Sequence, residues 1–157
     1  MGYELDKTDL HILKILQKNS NRTTKSIANE LGMSTSPVFE RIKKLEKEGY
    51  IKKYVAVLDN KKLGLKLTVF IGITLQGHTR SYLEKFVAEI NNFPEIVECH
   101  RVSGNFDYLL KLVVEDIEAY ETFIISKLTL LPYLGNVQSL ITLSTGKETN
   151  EIDLSRL

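Results

Sequence analysis

The chain has 157 residues, a formal net charge of +1, three histidines and a single cysteine. A lone cysteine excludes an internal disulfide and fits a reducing cytoplasm. The longest apolar run, residues 67–75, is far short of the about 20 residues that a membrane-spanning helix needs, and no N-terminal apolar segment resembles a signal peptide. His11, His78 and His100 are scattered without metal-ligand spacing, so neither a metal centre nor another cofactor is expected. The length suits one ordinary domain or two small ones, and the charge is divided unevenly. Residues 1–62 hold 13 Lys+Arg and 8 Asp+Glu, a net of +5, whereas residues 63–157 hold 8 and 12, a net of −4. A basic front half suits a polyanion, because each phosphate it neutralises releases counterions.

Residues 5–18 predict a first helix. Asp6 is placed as its N-cap, Asp9 puts negative charge in the first turn where the helix dipole favours it, and Leu5 and Leu10 are spaced for a hydrophobic staple. Leu10, Leu13 and Leu16, with Ile12, form the apolar side, and residues 19–22 form a polar turn. Residues 24–44 then read as two short helices joined tightly. Thr23 or Thr24 caps the first, whose apolar side is Ile27, Ala28 and Leu31, and Gly32 supplies the left-handed exit. Ser34 is expected to cap the second with its side-chain oxygen, and Pro37 sits in the first turn, where a missing N–H costs little. Val38, Ile42 and Leu45 recur at i, i+4 and i+7 as one buried stripe. The opposite face carries Ser36, Glu40, Lys43 and Lys47, with Thr35 and Lys44 beside it.

A helix, a glycine turn and a second helix with a small, polar, basic outer face is the helix-turn-helix pattern that enters a DNA major groove. On pattern alone an ordinary helical hairpin fits about as well. In the DNA reading Ser36, Glu40 and Lys43 face base edges, with Ser34 at the helix entry. Lys25, Thr35, Arg41, Lys44 and Lys52 meet phosphates. Arg41 has the alternative of a salt bridge to a neighbouring acid such as Glu46 or Glu48.

Gly49 ends the third helix. Residues 50–58, rich in β-branched and aromatic side chains, should be extended, either as a short wing or as a lead out of the domain, and residues 59–64 read as a hinge. Beyond it, residues 65–75 predict a strand. Residues 79–92 predict a helix capped by Thr79 or Ser81, with Leu83, Phe86, Val87 and Ile90 on one side. Pro94 marks a loop, residues 96–102 a strand, 103–107 a turn and 108–114 another strand. Asp116 caps a second helix whose apolar side is Ile117, Tyr120, Phe123, Ile124 and Leu128, and a loop at 132–136 leads to a last strand at 137–145. The order is the ferredoxin-like βαββαβ unit. The fold class is therefore α+β, with a three-helix (winged) helix-turn-helix domain at 1–58, a hinge at 59–64 and a βαββαβ domain at 65–157.

A half-solvated sheet alternates apolar with polar residues. Here the first strand has Leu67, Val69, Ile71 and Ile73 on one side and Phe70 on the other. The third has Leu110, Leu112 and Val114 against Leu109 and Val113. Such strands imply that the open face is covered, most simply by a second copy in a two-fold dimer. Cys99 and His100 are adjacent in a strand and point to opposite faces.

The whole layout resembles the feast/famine regulators, the Lrp/AsnC family. The motifs are Leu5-Asp6-x-x-Asp9-x-x-Ile12-Leu13, then Gly32-Met33-Ser34-x-Ser36-Pro37-Val38 through Arg41, Leu45 and Gly49-Tyr50-Ile51. In the back half they are Val97-Glu98-Cys99-His100 and Ser103-Gly104-Asn105-Phe106-Asp107-Tyr108. The resemblance implies a cytoplasmic transcription regulator of double-stranded DNA that is not an enzyme and not bound to a membrane. It would pair through its back-domain sheets, often as four dimers in an octameric disc, and bind a small effector, usually an amino acid, where dimers meet. It implies an effector turn of Ser103, Gly104, Asn105 and Asp107, with Leu131, Leu134 and Thr142 near the ligand side chain. N–H groups around Gly104 would hold a carboxylate and Asp107 an amino group. Without the family, Ser-Gly-Asn-Phe-Asp reads as a tight hairpin. Asn105 stands where family members usually carry an acid, and the loop Pro132–Val137 is about two residues longer than their common form. A different class shares this layout, namely tetrapyrrole-processing decarboxylases, for which His100, Arg101 and Tyr108 are the nearby candidates. No nucleophile–base pair accompanies them.

Overall fold

The computed structural model describes residues 3–77 and 79–156. His78 lies outside the described residues. The chain forms two compact units, residues 1–57 with 147–157, and residues 58–146.

The first unit holds α1 (Lys7–Lys18), α2 (Thr24–Leu31) and α3 (Thr35–Lys47). Asp6 and Asp9 form a reciprocal capping box at the start of α1, which satisfies two of the N–H groups a helix start leaves open. Thr23 caps α2 through Ser26 N, and Gly32 ends it at φ 63° in the left-handed region. Ser34 holds the N-cap position of α3, but its hydroxyl makes no capping bond, so the expected side-chain cap is absent. Ile12, Ile15, Leu16, Ile27, Ala28, Val38, Ile42 and Leu45 form the core. Residues 52–59 are neither helix nor strand. They lead out of the unit without a ladder, because a β-rich segment with no neighbouring strand has nothing to pair with.

Residues 147–157, expected in the back domain, group with the helices instead. The Gln17 carboxamide donates to Ile152 O at 2.8 Å and accepts from Ile152 N at 3.0 Å. A side-chain amide thus replaces the strand partner that this extended backbone lacks.

The second unit holds β1 (Leu67–Leu75), α4 (Arg80–Ile90), β2 (Ile96–Arg101), β3 (Tyr108–Val114), α5 (Ile117–Ser126) and β4 (Leu134–Ile141). The sheet order is β2-β3-β1-β4, with all three pairings antiparallel. Thr79 and Asp116 cap α4 and α5. β4 begins three residues earlier than expected and ends at Ile141, because Leu134 already pairs with Leu75 across a register shift. One face of the sheet presents Val69, Ile71, Ile73, Tyr108, Leu110 and Leu112 to Phe86, Ile90 and Phe123 of the helices in one core. The other face carries Phe70, Gly72, Leu109, Lys111, Val113 and Leu140, by the alternation of these strands. No helix among the described residues is long and apolar enough to cross a membrane.

Candidate nucleic-acid interface and effector turn

The left-handed Gly32 and the short link to Ser34 turn the chain sharply, so that α3 starts directly after α2. Val38, Ile42 and Leu45 anchor α3 in the core, which leaves Ser34, Thr35, Ser36, Glu40, Lys43 and Lys44 exposed, as is Lys25 in the first turn of α2. With Lys52, also exposed, eight of the nine residues expected at DNA thus share the exposed surface of one unit. Lys43 Nζ is held by Glu46 at 2.8 Å. That bond holds the Glu46 carboxyl below the usual range, assisted by the Tyr54 hydroxyl. Lys44 Nζ lies 3.8 Å from the centroid of the Tyr3 ring, a cation–π contact that orients it without neutralising it.

Arg41 is different. Its Nη1 donates to Asp6 Oδ2 at 2.6 Å and to Asp9 Oδ1 at 2.8 Å. Asp9 is fully buried, at 0 % exposure. Arg41 therefore ties α3 to the start of α1. The salt-bridge alternative holds, but with Asp6 and Asp9 in place of Glu46 or Glu48. Those acids are used differently, Glu46 by Lys43 and Tyr54. Tyr3 completes the cluster. Its hydroxyl donates to Asp9 Oδ2, while Tyr50 Oη donates to Tyr3 O at 2.6 Å. The hydrogen bond to the Asp9 carboxylate pushes the Tyr3 phenol up to about 12. The Asp9 N–H, and then Arg41, hold the Asp6 carboxyl below its ordinary value.

In the second unit, Ser103, Gly104 and Asn105 are exposed in the β2–β3 turn, where Gly104 takes φ 127°. Asp107 closes that turn. Its N–H donates to Ile73 O at 2.8 Å, its carbonyl accepts from Val102 N at 3.0 Å and its Oδ2 accepts from Leu75 N at 2.8 Å. The carboxylate thus extends the β1–β3 ladder by one rung. Phe106 lies across the open sheet face above Gly72, where an added Cβ would meet its ring at 2.7 Å. A glycine inside a strand signals such close approach, so Gly72 was a readable clue.

Leu134 pairs with Leu75, at the same end of β1 as the turn, but its side chain is buried in the core. Leu131 packs beside that core, half-buried. Thr142 N donates to Thr68 O at 3.0 Å. Thr68 and Leu75 are seven residues apart on β1, about 23 Å at strand rise, so a single chain does not bring Thr142 to the turn. In the longer loop Tyr133 turns inward and stacks on Tyr82, 6.1 Å between centroids.

Of the enzyme candidates, Arg101 and Tyr108 are cross-strand neighbours, and His100 lies on the other face of the sheet. His100 is exposed on the open face with Nε2 3.1 Å from Glu98. Tyr108 is buried on the helix side against Phe86, 4.5 Å between centroids. Arg101 is paired in register with Tyr108, on the face opposite His100. His100 and Lys111 hold the Glu98 carboxyl below its usual range. Among the described residues no group of three or more acidic, histidine or cysteine side chains is placed to hold a metal.

Comparison with known proteins agrees with this architecture. A model of the Lrp/AsnC ligand binding domain matches residues 68–152, and a model of winged helix-turn-helix DNA-binding domains matches residues 5–52. The transcriptional regulator AzlB of Bacillus subtilis is 36% identical over 157 residues, 100% of both chains. The leucine-responsive regulatory protein of Escherichia coli is 35% identical over 151 residues, 96% of this chain and 92% of that one. A crystal structure of a Neisseria meningitidis transcriptional regulator in complex with L-Met superposes with a TM-score of 0.93 at 31% identity, covering 98% of this chain and 99% of that chain. With a helix-turn-helix unit in front and the matching ligand-binding domain behind, the chain belongs to the Lrp/AsnC family of transcriptional regulators.

Proposed function

We propose that this protein is a sequence-specific regulator of double-stranded DNA whose affinity or assembly responds to a small metabolite, most simply an amino acid. The observation that carries the DNA reading is α3 itself. Its apolar stripe is spent on the core, and its outer face offers Ser36, Glu40 and Lys43 to base edges, with Ser34 at the helix entry and Thr35 toward phosphates. Lys25 and Lys44 flank that face toward phosphates. Glu40 and Ser36 accept and donate hydrogen bonds as base readout requires. The protein acts in the cytoplasm and catalyses no reaction, a reading that the naming of its relatives as transcriptional regulators supports.

The effector reading rests on the exposed turn Ser103–Gly104–Asn105, with Asp107 behind it. The L-Met complex of the Neisseria relative and the leucine-responsive name of the Escherichia coli relative support an amino acid. A second copy covers the open sheet face, and dimers assemble further to the octamer. Thr142, far from the turn within one chain, joins the pocket only across such an interface.

Fluorescence anisotropy with DNA selected from a random library tests this. Binding should beat random competitor and weaken steeply with salt. One amino acid among the twenty should shift it. Lys44→Ala should weaken all sequences alike and lower the salt slope by about one unit, while Lys43→Ala should change the preferred sequence. Uniform losses from both would refute the base-reading assignment, and binding no tighter than to random DNA would refute the function.

A further inference from the structure

Within α1–α3, Phe39 is the only large apolar side chain left exposed among the described residues, at 44 %. It stands in the first half of α3, three residues after Ser36 and four before Lys43, so the three side chains adjoin on the helix surface. Lys43 Nζ is 5.8 Å from the ring centroid, within reach of a cation–π contact. The bond from Lys43 to Glu46, 2.8 Å, fixes the amine in turn. The ring is thus steadied outside the core that Val38, Ile42 and Leu45 fill.

A phenyl group on an element that enters the major groove meets donors and acceptors almost everywhere. The one apolar feature that a base edge offers there is the C5-methyl of thymine. Phenylalanine has no hydrogen-bonding group and cannot read any other edge feature. We propose that Phe39 is a specificity residue that packs on a thymine methyl in the target site, alongside hydrogen bonds made by Ser36, Glu40 and Lys43. The inference rests on α3 being the DNA-reading helix and adds the identity of one base to that reading.

The test uses the full chain and a DNA site selected from a random library. Each thymine in the site is replaced in turn by uracil, which removes the methyl and leaves every hydrogen-bonding group in place. Wild type should bind about fourfold more weakly at one thymine position, the equivalent of one buried methyl. Phe39→Ala should bind the thymine site about as weakly and lose the distinction between thymine and uracil at that position alone. Phe39→Leu should keep part of it. Because the side chain is half out of the core, both variants should retain the helical circular dichroism of wild type. The proposal is overturned if wild type binds its selected site yet no uracil substitution costs affinity, or if the cost persists undiminished in Phe39→Ala. If wild type selects no sequence over random DNA, the DNA reading beneath it falls as well.

Discussion

Arg41 places one guanidinium nitrogen between two carboxylates, one of them fully buried. Removing one partner of a buried ion pair leaves a charge without compensation, at about 3–5 kcal/mol. Here Tyr3 and the Asp6 N–H still hold Asp9, so Arg41→Ala should cost about 2–3 kcal/mol. In a unit of this size that lowers the thermal midpoint by about 10–20 °C, which thermal circular dichroism would read. A loss of DNA affinity with no change in midpoint would instead make Arg41 a phosphate contact. The same cluster sets a pH dependence. The folded-state pKa of Asp6 is lowered, so its contribution is present above the unfolded value of about 3.9 and lost as pH falls through the folded value. Tyr3 is raised to about 12, so its contribution is present below about 10 and lost as pH rises through 12. Urea midpoints should therefore be flat from these groups between pH 5 and 9 and fall on both sides, and Tyr3→Phe should remove the alkaline part of that fall.

At the scale of elements, the β2–β3 turn is braced twice. Asp107 adds a rung to the β1–β3 ladder, and Phe106 rests on Gly72. A methyl at Gly72 would stand 2.7 Å from that ring, so the ring must move and drag the exposed turn with it. Gly72→Ala should cost about 1–3 kcal/mol, the range for overpacking. Combined with Phe106→Ala it should cost less than the sum of the two, a coupling that a double-mutant cycle measures. If effector binds at Ser103–Asn105, Gly72→Ala should weaken the effector response before it weakens DNA binding. Additive losses would show that the ring does not depend on the glycine. Helix starts and stops needed no such contacts to be read, since Asp6, Thr23, Gly32, Thr79 and Asp116 act on their own neighbours.

For the whole molecule, the open sheet face is where the proposed pairing of two copies is tested. Phe70 faces Leu140 across β1 and β4, and Leu140 is 50 % exposed. An apolar face of this kind fits a self-complementary interface. Sedimentation should find a dimer or larger species, and Leu140→Lys, a substitution at an exposed position, should shift it toward monomer. A wild-type chain that sediments as monomer would leave the face to another partner.

Periodicity, caps and turn residues are local signals, so the sequence alone determined three helices, a βαββαβ order, a polar basic face on α3 and a hairpin turn at 103–107. The family followed from those elements at their spacing. Only tertiary structure decided which distant groups meet. Arg41 finds Asp6 and Asp9 over 30 residues away, the Gln17 side chain holds the backbone of Ile152 across 135, and Phe106 finds its seat on Gly72. The same is true of what fails to meet, Thr142 from the turn and His100 from Tyr108. Such pairings depend on how folded segments come together to satisfy buried charge, backbone N–H and C=O groups, and ring volume. No local spacing in the chain encodes that outcome.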